Sequence, residues 1–419
     1  MKTALNTYLS RLSMFSRNVR LLLLGDLLIG LGLTFWLLLF NLYLKEYGAD
    51  LGLSEAGANV FIGRTMAISQ VAAALFALPA AWLASRFDMK KVLIGAHLLS
   101  CLAYAACILS TRPGALRACV FFGTGFCVFF WVLAGPFTME NTTDKERTYV
   151  FSLAFTLRLV GSIGGNLLAG NLKELAFGLG LSQLEAYRLA ILCGLGVSAL
   201  AVVPFSLMRG GAKAEKMGSA DWGFFGKAIL PSALVSVGAG LIVQFMNLFL
   251  KDTFPGLKDS QIGLYLSMQS GTMVFGMLLA PLLAEKYGKV RVIVWTQLLS
   301  IPFMLTLAFT RDLRAAVVAL VIRAALMNMG GPVSNTLVLE LCRKSERGLL
   351  SALFTMDWNL AWSVSALIYG QMGGDYTRMF IAAVGLYMAS TTCYYAFFKD
   401  SEAEMERRKK AGPEVFEPV

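Results

Sequence analysis

In 419 residues there is one histidine, His97, so no site that needs two imidazoles can be built from this chain. No G-x-x-x-x-G-K-[ST] stretch occurs either, which excludes the phosphate-cradling loop of ATP-driven machines. Seven cysteines, at 101, 107, 119, 127, 193, 342 and 393, include no C-x-x-C pair and leave one over. All but Cys342 lie inside apolar runs, where they read as small hydrophobic side chains and not as a disulfide framework or a zinc site. Charge is scarce too: 15% of residues are Asp, Glu, Lys or Arg, against roughly a quarter in a soluble domain. The opening MKTALNTYLSRLSMFSRNVR carries four basic residues and no acid, and it lacks a short apolar core ending in a small-residue cleavage site. It reads as a retained arm, with spacing that also allows a short interfacial helix, and not as a secretory signal.

What is abundant is apolar side chain, at 57% of residues with a mean hydropathy of +0.65. A helix needs about 20 apolar residues to cross a bilayer core, and twelve such runs can be cut from the sequence: 21–44, 58–84, 91–110, 115–139, 149–171, 187–207, 226–250, 261–284, 291–310, 315–339, 349–371 and 378–398. The expectation is an all-α integral membrane protein. Lys and Arg set its orientation: with the N-terminus cytoplasmic, 24 of the 37 basic residues fall on that side and 10 on the other, the remaining three being Arg64, Arg158 and Arg323 inside segments. Both termini are therefore expected in the cytoplasm. The net charge of +11 is accounted for by this asymmetry and implies no nucleic-acid partner. The polar, glycine-containing break around 208–225 divides the chain into a cytoplasmic arm (1–20), a six-helix bundle (21–207), a linker (208–225), a second six-helix bundle (226–398) and a charged tail (399–419).

An internal repeat accompanies that division. At an offset of 200, LASRFDMKKVLIGAHLLS at 83–100 lies over LAEKYGKVRVIVWTQLLS at 283–300, Glu140 over Glu340, Glu146 over Glu346 and Arg147 over Arg347. One residue less aligns FTLR ending at Arg158 with FTMD ending at Asp357. The sequence here resembles the major facilitator superfamily, whose members carry a loop G-x-L-x-D-R-x-G-[RK]-[RK] between the second and third helices and echo it between the eighth and ninth. The first copy reads Ala81, Leu83, Ser85, Arg86, Asp88, Met89 and Lys90; the second reads Pro281, Leu283, Glu285, Lys286, Gly288, Lys289 and Val290. The resemblance implies two pseudo-symmetric six-helix bundles, alternating access, and a cytoplasmic latch built from this loop. Ser85 stands where the family has an acid, so the first latch is expected to be weaker, or Asp88 to substitute. Arg86, Lys90 and Lys91 also serve as topogenic charge and headgroup anchors.

Five ionisable residues fall inside apolar segments: Asp26, Arg64, Arg158, Arg323 and Asp357. Such groups are costly in lipid and normally face a cavity or a partner. The resemblance places all five on helices that line the central cavity. Arg158, Arg323 and Asp357 each lie about nine residues into their segments, roughly 13 Å deep at 1.5 Å per residue, near the midplane where repeat-built transporters bind substrate. Asp26 is expected nearer the cytoplasmic mouth and Arg64 nearer the outer one. A guanidinium keeps its proton, so it needs an anionic partner, which is either Asp357 or a substrate acid group. Carboxylates are the natural proton carriers, because burial and a neighbouring arginine pull their proton affinity in opposite directions. Arg158, Arg323 and Arg64 are thus candidates for the anionic part of a substrate, with Asn328, Gln244, Asn247, Trp358 and Asn359 as further binding residues. Asp357 and Asp26 are the candidates for proton coupling. A fixed salt bridge of Arg158 or Arg323 with Asp357 is the alternative.

Gln269 and Asn41, with Trp131 and Trp362 as stacking walls, are secondary candidates that also serve as interhelical contacts. The GSIGG run at 161–165 offers a small-x-x-x-small packing face. Glu140 with Arg147, and Glu340 with Arg347, read as repeated gate pairs, alongside Ser85, Arg86, Asp88, Lys90, Glu285, Lys286 and Gly288 in the loops. The function expected is a monomeric, proton-coupled secondary transporter of a small organic anion or anionic amphiphile in a bacterial inner membrane. Its partners are the substrate and lipid, and the proton gradient takes the place of a cofactor. A polyspecific drug exporter of the same fold is the rival, favoured by Met and aromatic content and disfavoured by three embedded arginines. A membrane sensor or enzyme would need a signalling domain or a reactive cluster that the sequence does not display.

Overall fold

A chain in hydrocarbon must close its backbone hydrogen bonds within its own segments, and a helix does this along its whole length. The computed structural model describes residues 15–142, 144–210, 221–342 and 346–401, and the regular elements among them are fourteen α-helices. In chain order these are α1 Arg17–Asp50, α2 Glu55–Arg86, α3 Met89–Leu109, α4 Pro113–Glu140, α5 Asp144–Gly178, α6 Gln183–Ala199, α7 Val202–Leu207, α8 Trp222–Val243, α9 Met246–Thr253, α10 Asp259–Tyr287, α11 Lys289–Phe309, α12 Leu313–Leu341, α13 Arg347–Met372 and α14 Tyr376–Phe398. Most of the expected arm, linker and tail falls outside the described residues.

Eleven spans among the described residues are long and apolar enough to cross a membrane, α6 and α7 together making one of them. The run at 349–371 is also a long helix, α13, but Asp357, Trp358, Asn359 and Trp362 dilute its apolar stretch, and it is not among the eleven. The run at 226–250 is two helices and not one. α8 stops at Val243 and α9 begins at Met246.

The chain packs as two compact units, Met1–Phe40 with Leu75–Lys216 and Asn41–Ala74 with Met217–Val419. The boundaries fall inside α1 and α2, so the C-terminal end of α1 and the N-terminal part of α2 belong with the later helices.

In the first unit α3 and α4 form an antiparallel hairpin. Ser100 Oγ donates to the Gly123 carbonyl at 2.8 Å, and Tyr104 donates to Thr124 Oγ1 at 3.0 Å. His97 bonds the Ser198 carbonyl of α6 through Nε2 at 2.8 Å, a structural use of the chain's one imidazole. The glycine run works as a packing face: a Cβ at Gly161 would lie 2.9 Å from the Leu31 nitrogen, and one at Gly165 would lie 2.5 Å from the Leu31 oxygen and 2.7 Å from Thr34 Cβ. Backbone approach of this kind is how helices gain packing where lipid offers no hydrophobic drive.

In the second unit α8 packs on α13 and α14 through side-chain-to-carbonyl bonds. Ser365 donates to Val237 O and Ser390 to Pro231 O, both at 2.7 Å. α10 lies along α12, with Thr272 Oγ1 donating to Val321 O at 3.2 Å.

The two loops related by the repeat are held in different ways. In the first, Asp88 is the N-cap of α3 and accepts from Lys90 N at 3.0 Å. At the aligned position 288 a glycine with φ +92° joins α10 directly to α11, in a region that only glycine occupies without strain. Each joint is short because each terminates one helix and starts the next within two residues.

Candidate functional site

The embedded charges resolve into four separate settings. In the first unit, Arg158 Nε of α5 donates to both oxygens of Asp26 on α1, at 3.0 and 3.1 Å. The Asp26 side chain is 4% exposed and that of Arg158 31%. The guanidinium carbon also sits over the Trp131 ring of α4, 4.8 Å from its centroid, in cation–π range. Gly30, one turn along α1 from Asp26, lets the two backbones close: a Cβ there would be 3.5 Å from Arg158 Cα. The sequence reading put Asp26 near the mouth and Arg158 near the midplane, and gave Arg158 either Asp357 or substrate as partner. The partner is corrected here: Arg158 is paired with Asp26 and not with Asp357.

In the second unit Asp357 of α13 accepts from Ser232 Oγ of α8 at 2.7 Å. The repeat relates α1 to α8 and α5 to α13, so Asp26–Arg158 and Ser232–Asp357 join corresponding helices with different chemistry. The first copy is an ion pair; the second is a carboxyl group with one neutral donor. Arg323 of α12 is buried at 3% exposure and donates from Nη2 to the Tyr387 hydroxyl of α14 at 3.1 Å. Arg64 has an exposed side chain on α2.

The other sequence candidates divide by their partners. Asn328 and Asn359 donate back to carbonyls of their own helices, Ala324 at 2.8 Å and Thr355 at 2.7 Å. Trp358 and Trp362 are tilted against each other, with centroids 5.2 Å apart. Gln244 and Asn247 stand at the α8–α9 break, where the interrupted ladder frees backbone groups. Asn41 donates to the Gln244 carbonyl at 2.6 Å and lies 3.4 Å from Asn247 Oδ1; Gln244 Nε2 donates to Trp362 O at 3.0 Å. These bonds open a seam that the sequence did not foretell. Lys45 pairs with Asp252, whose other oxygen accepts from Tyr376 at 2.8 Å. Tyr369 donates to Asn59 at 3.1 Å and stacks on Phe245 with centroids 3.8 Å apart. All lie within the second unit, so the C-terminal end of α1 and the N-terminal end of α2 are bolted to α9 and α13. The signal available in the sequence was the polar residues of the 226–250 run, which mark where its helix cannot continue.

The loop candidates are held locally. Lys90 donates to the carbonyls of Ser206 and Met208 at 2.7 and 2.6 Å, neutralising the C-terminus of α7. Ser85 donates to Trp82 O at 2.8 Å, and Arg86 lies over the Trp82 ring at 4.8 Å. Asp88 is occupied as a helix cap. In the second copy Lys286 lies 5.1 Å from the Tyr287 ring centroid, and Glu285 is exposed. Glu340 pairs with Lys289 at 2.6 Å. Glu140 is exposed. The side chains of Arg147 and Arg347 lie outside the described residues, as does that of Glu146. Among the described residues no three of His, Cys, Asp and Glu gather as metal ligands.

The model of the Major Facilitator Superfamily matches residues 229–418. No curated protein matches the chain. Among solved structures, the nucleoside transporter NupG is 13% identical, with 92% of this chain and 100% of that chain covered and a TM-score of 0.72. The D-xylose-proton symporter is 15% identical over 91% and 97%, with a TM-score of 0.74. A bacterial homolog to the human lysosomal transporter Spinster, inward-facing and unoccupied, is 14% identical over 91% and 96%, with a TM-score of 0.73. At such identities the likeness is one of fold.

Proposed function

We propose that this multi-pass membrane protein, whose residues 229–418 match the Major Facilitator Superfamily model and whose fold resembles that of solved transporters, is a proton-coupled secondary transporter of a small organic anion working by alternating access. The observation that carries the reading is the Asp26–Arg158 pair beneath Trp131: a permanent cation, partly open on one side, whose carboxylate partner can be exchanged for the acid group of a substrate. Trp131 supplies an apolar ring beside the charge, which suits an organic anion over an inorganic one. Asp357, with a serine donor in place of an arginine, is free to gain and lose a proton during the cycle, and Asp26 is the second candidate. One of the similar solved structures is described as a proton symporter, which is consistent with this energy source.

With both termini cytoplasmic, as the basic residues imply, the Lys45–Asp252 and Asn59–Tyr369 seam lies on the outer side and acts as the outer gate. The chain functions as a monomer in a bacterial inner membrane, with lipid as its surroundings.

Vesicles containing the purified protein under an imposed pH gradient test the proposal. Substrate-dependent proton movement is expected in the parent and is expected to be lost in Asp357→Asn. Unchanged proton movement in that variant would remove Asp357 from the coupling. Arg158→Ala is expected to lose discrimination between anionic and cationic ligands of one shape; retained discrimination would remove the anion assignment.

A further inference from the structure

We propose that Arg323 and Tyr387 hold a resident small inorganic anion, chloride in class, inside the second unit and apart from the transported substrate. Arg323 is 3% exposed and Tyr387 1%. Arginine keeps its proton at any working pH, so this charge cannot be relieved by neutralisation and must be paired to be buried cheaply. No Asp or Glu bonds to it among the described residues; the only partner recorded for its guanidinium is the Tyr387 oxygen, at 3.1 Å. Because that oxygen accepts from the arginine, the tyrosine's own proton is left over, and among the described residues it has no acceptor. Arg323 Nε is buried and likewise has no partner among them. The pair thus offers two donors and one full positive charge with nothing to receive them.

That combination selects an anion. A water molecule could accept from both donors, but it would leave the charge uncompensated and bring two protons that need acceptors of their own. The surroundings limit the size of the guest. Tyr387 packs on α8 so closely that a Cβ at Gly238 would lie 2.8 Å from its ring. One turn along α14, Thr391 closes the seam by donating to Gln297 of α11 at 2.7 Å. A monatomic anion suits such a place; a carboxylate on an organic body does not. Arg323 is therefore separated in role from Arg158, whose guanidinium is partly open and already carries a carboxylate.

The test uses the full chain in detergent, with thermal unfolding followed at constant ionic strength as sodium gluconate is exchanged for sodium chloride. The midpoint is expected to rise saturably with chloride, bromide replacing it and sulfate failing to. A hundredfold excess over the dissociation constant shifts the unfolding equilibrium about 100-fold. Arg323→Gln is expected to abolish the halide dependence. If that variant does not fold, Tyr387→Phe keeps the ring and its packing, and is expected to raise the half-saturating halide concentration about tenfold. Crystals grown in bromide are expected to show an anomalous peak beside Arg323. A parent protein indifferent to halide, or an Arg323→Gln protein with the parent's full response, would overturn the assignment. So would halide uptake into vesicles in exchange for the transported substrate, because the ion would then lie on the transport path.

Discussion

The Asp26–Arg158 pair invites a double-mutant cycle, with Asp26→Asn, Arg158→Gln and the double variant compared with the parent. Breaking a fully buried ion pair by removing one partner costs about 3–5 kcal/mol, and a surface pair contributes about 0.2–1 kcal/mol. This pair lies between those limits: the carboxylate side chain is 4% exposed and the guanidinium 31%, so water can reach one partner and not the other. One nitrogen reaches both carboxylate oxygens, at 3.0 and 3.1 Å, which is a forked contact and weaker than a two-nitrogen clamp. A coupling energy of about 2 kcal/mol follows, above the ~0.6 kcal/mol that interhelical hydrogen bonds average in membranes, because both partners are charged. The two single variants are expected to be unequal. Arg158→Gln strands a carboxylate away from water, whereas Asp26→Asn leaves a guanidinium that still has Trp131 at 4.8 Å and partial solvent access. Reversible unfolding of the purified chain in mixed micelles, monitored by tryptophan emission and denaturant titration, measures all three. If the single effects add to within about 0.5 kcal/mol of the double, the two residues do not act as a pair and the site has been misread.

Two further outcomes bear on packing and on the seam. Gly165→Val should destabilise by about 2–3 kcal/mol, since overpacking against fixed backbone costs that much, while Gly164→Val should be nearly silent, because its Cβ would meet only Leu31 Cδ1 at 3.8 Å; equal effects would mean α1 and α5 do not meet through this glycine. Asp252→Asn weakens a partly exposed ion pair with Lys45, a loss of about 1 kcal/mol. Hydrogen exchange of the α9 amides should then run about five-fold faster, and unchanged exchange would show that the bridge holds nothing closed.

The helical character of the chain was written in its composition, because in lipid an apolar run has almost no alternative to a helix. The repeat was legible for a similar reason: the 83–100 and 283–300 stretches each terminate and restart a helix, and such joints constrain a few neighbouring residues that can be read in order. Even there the solutions diverge, Asp88 capping its helix by a side chain and Gly288 by its backbone conformation. Embedded Asp and Arg could be named as important from cost alone.

Their partners could not be named, because hydropathy is a sum along one segment whereas pairing depends on the rotation and register of two. A register shift of a single residue turns a side chain by about 100° around its helix, so the segments alone could not tell that Arg158 would meet Asp26. The break after Val243, the grouping of residues 41–74 with the later helices and the burial of Arg323 against Tyr387 have the same origin. From the order of residues alone came the membrane, the helices and the doubling; packing among helices that are apolar on nearly every face decided which polar groups meet, since lipid-facing and protein-facing surfaces carry the same side chains.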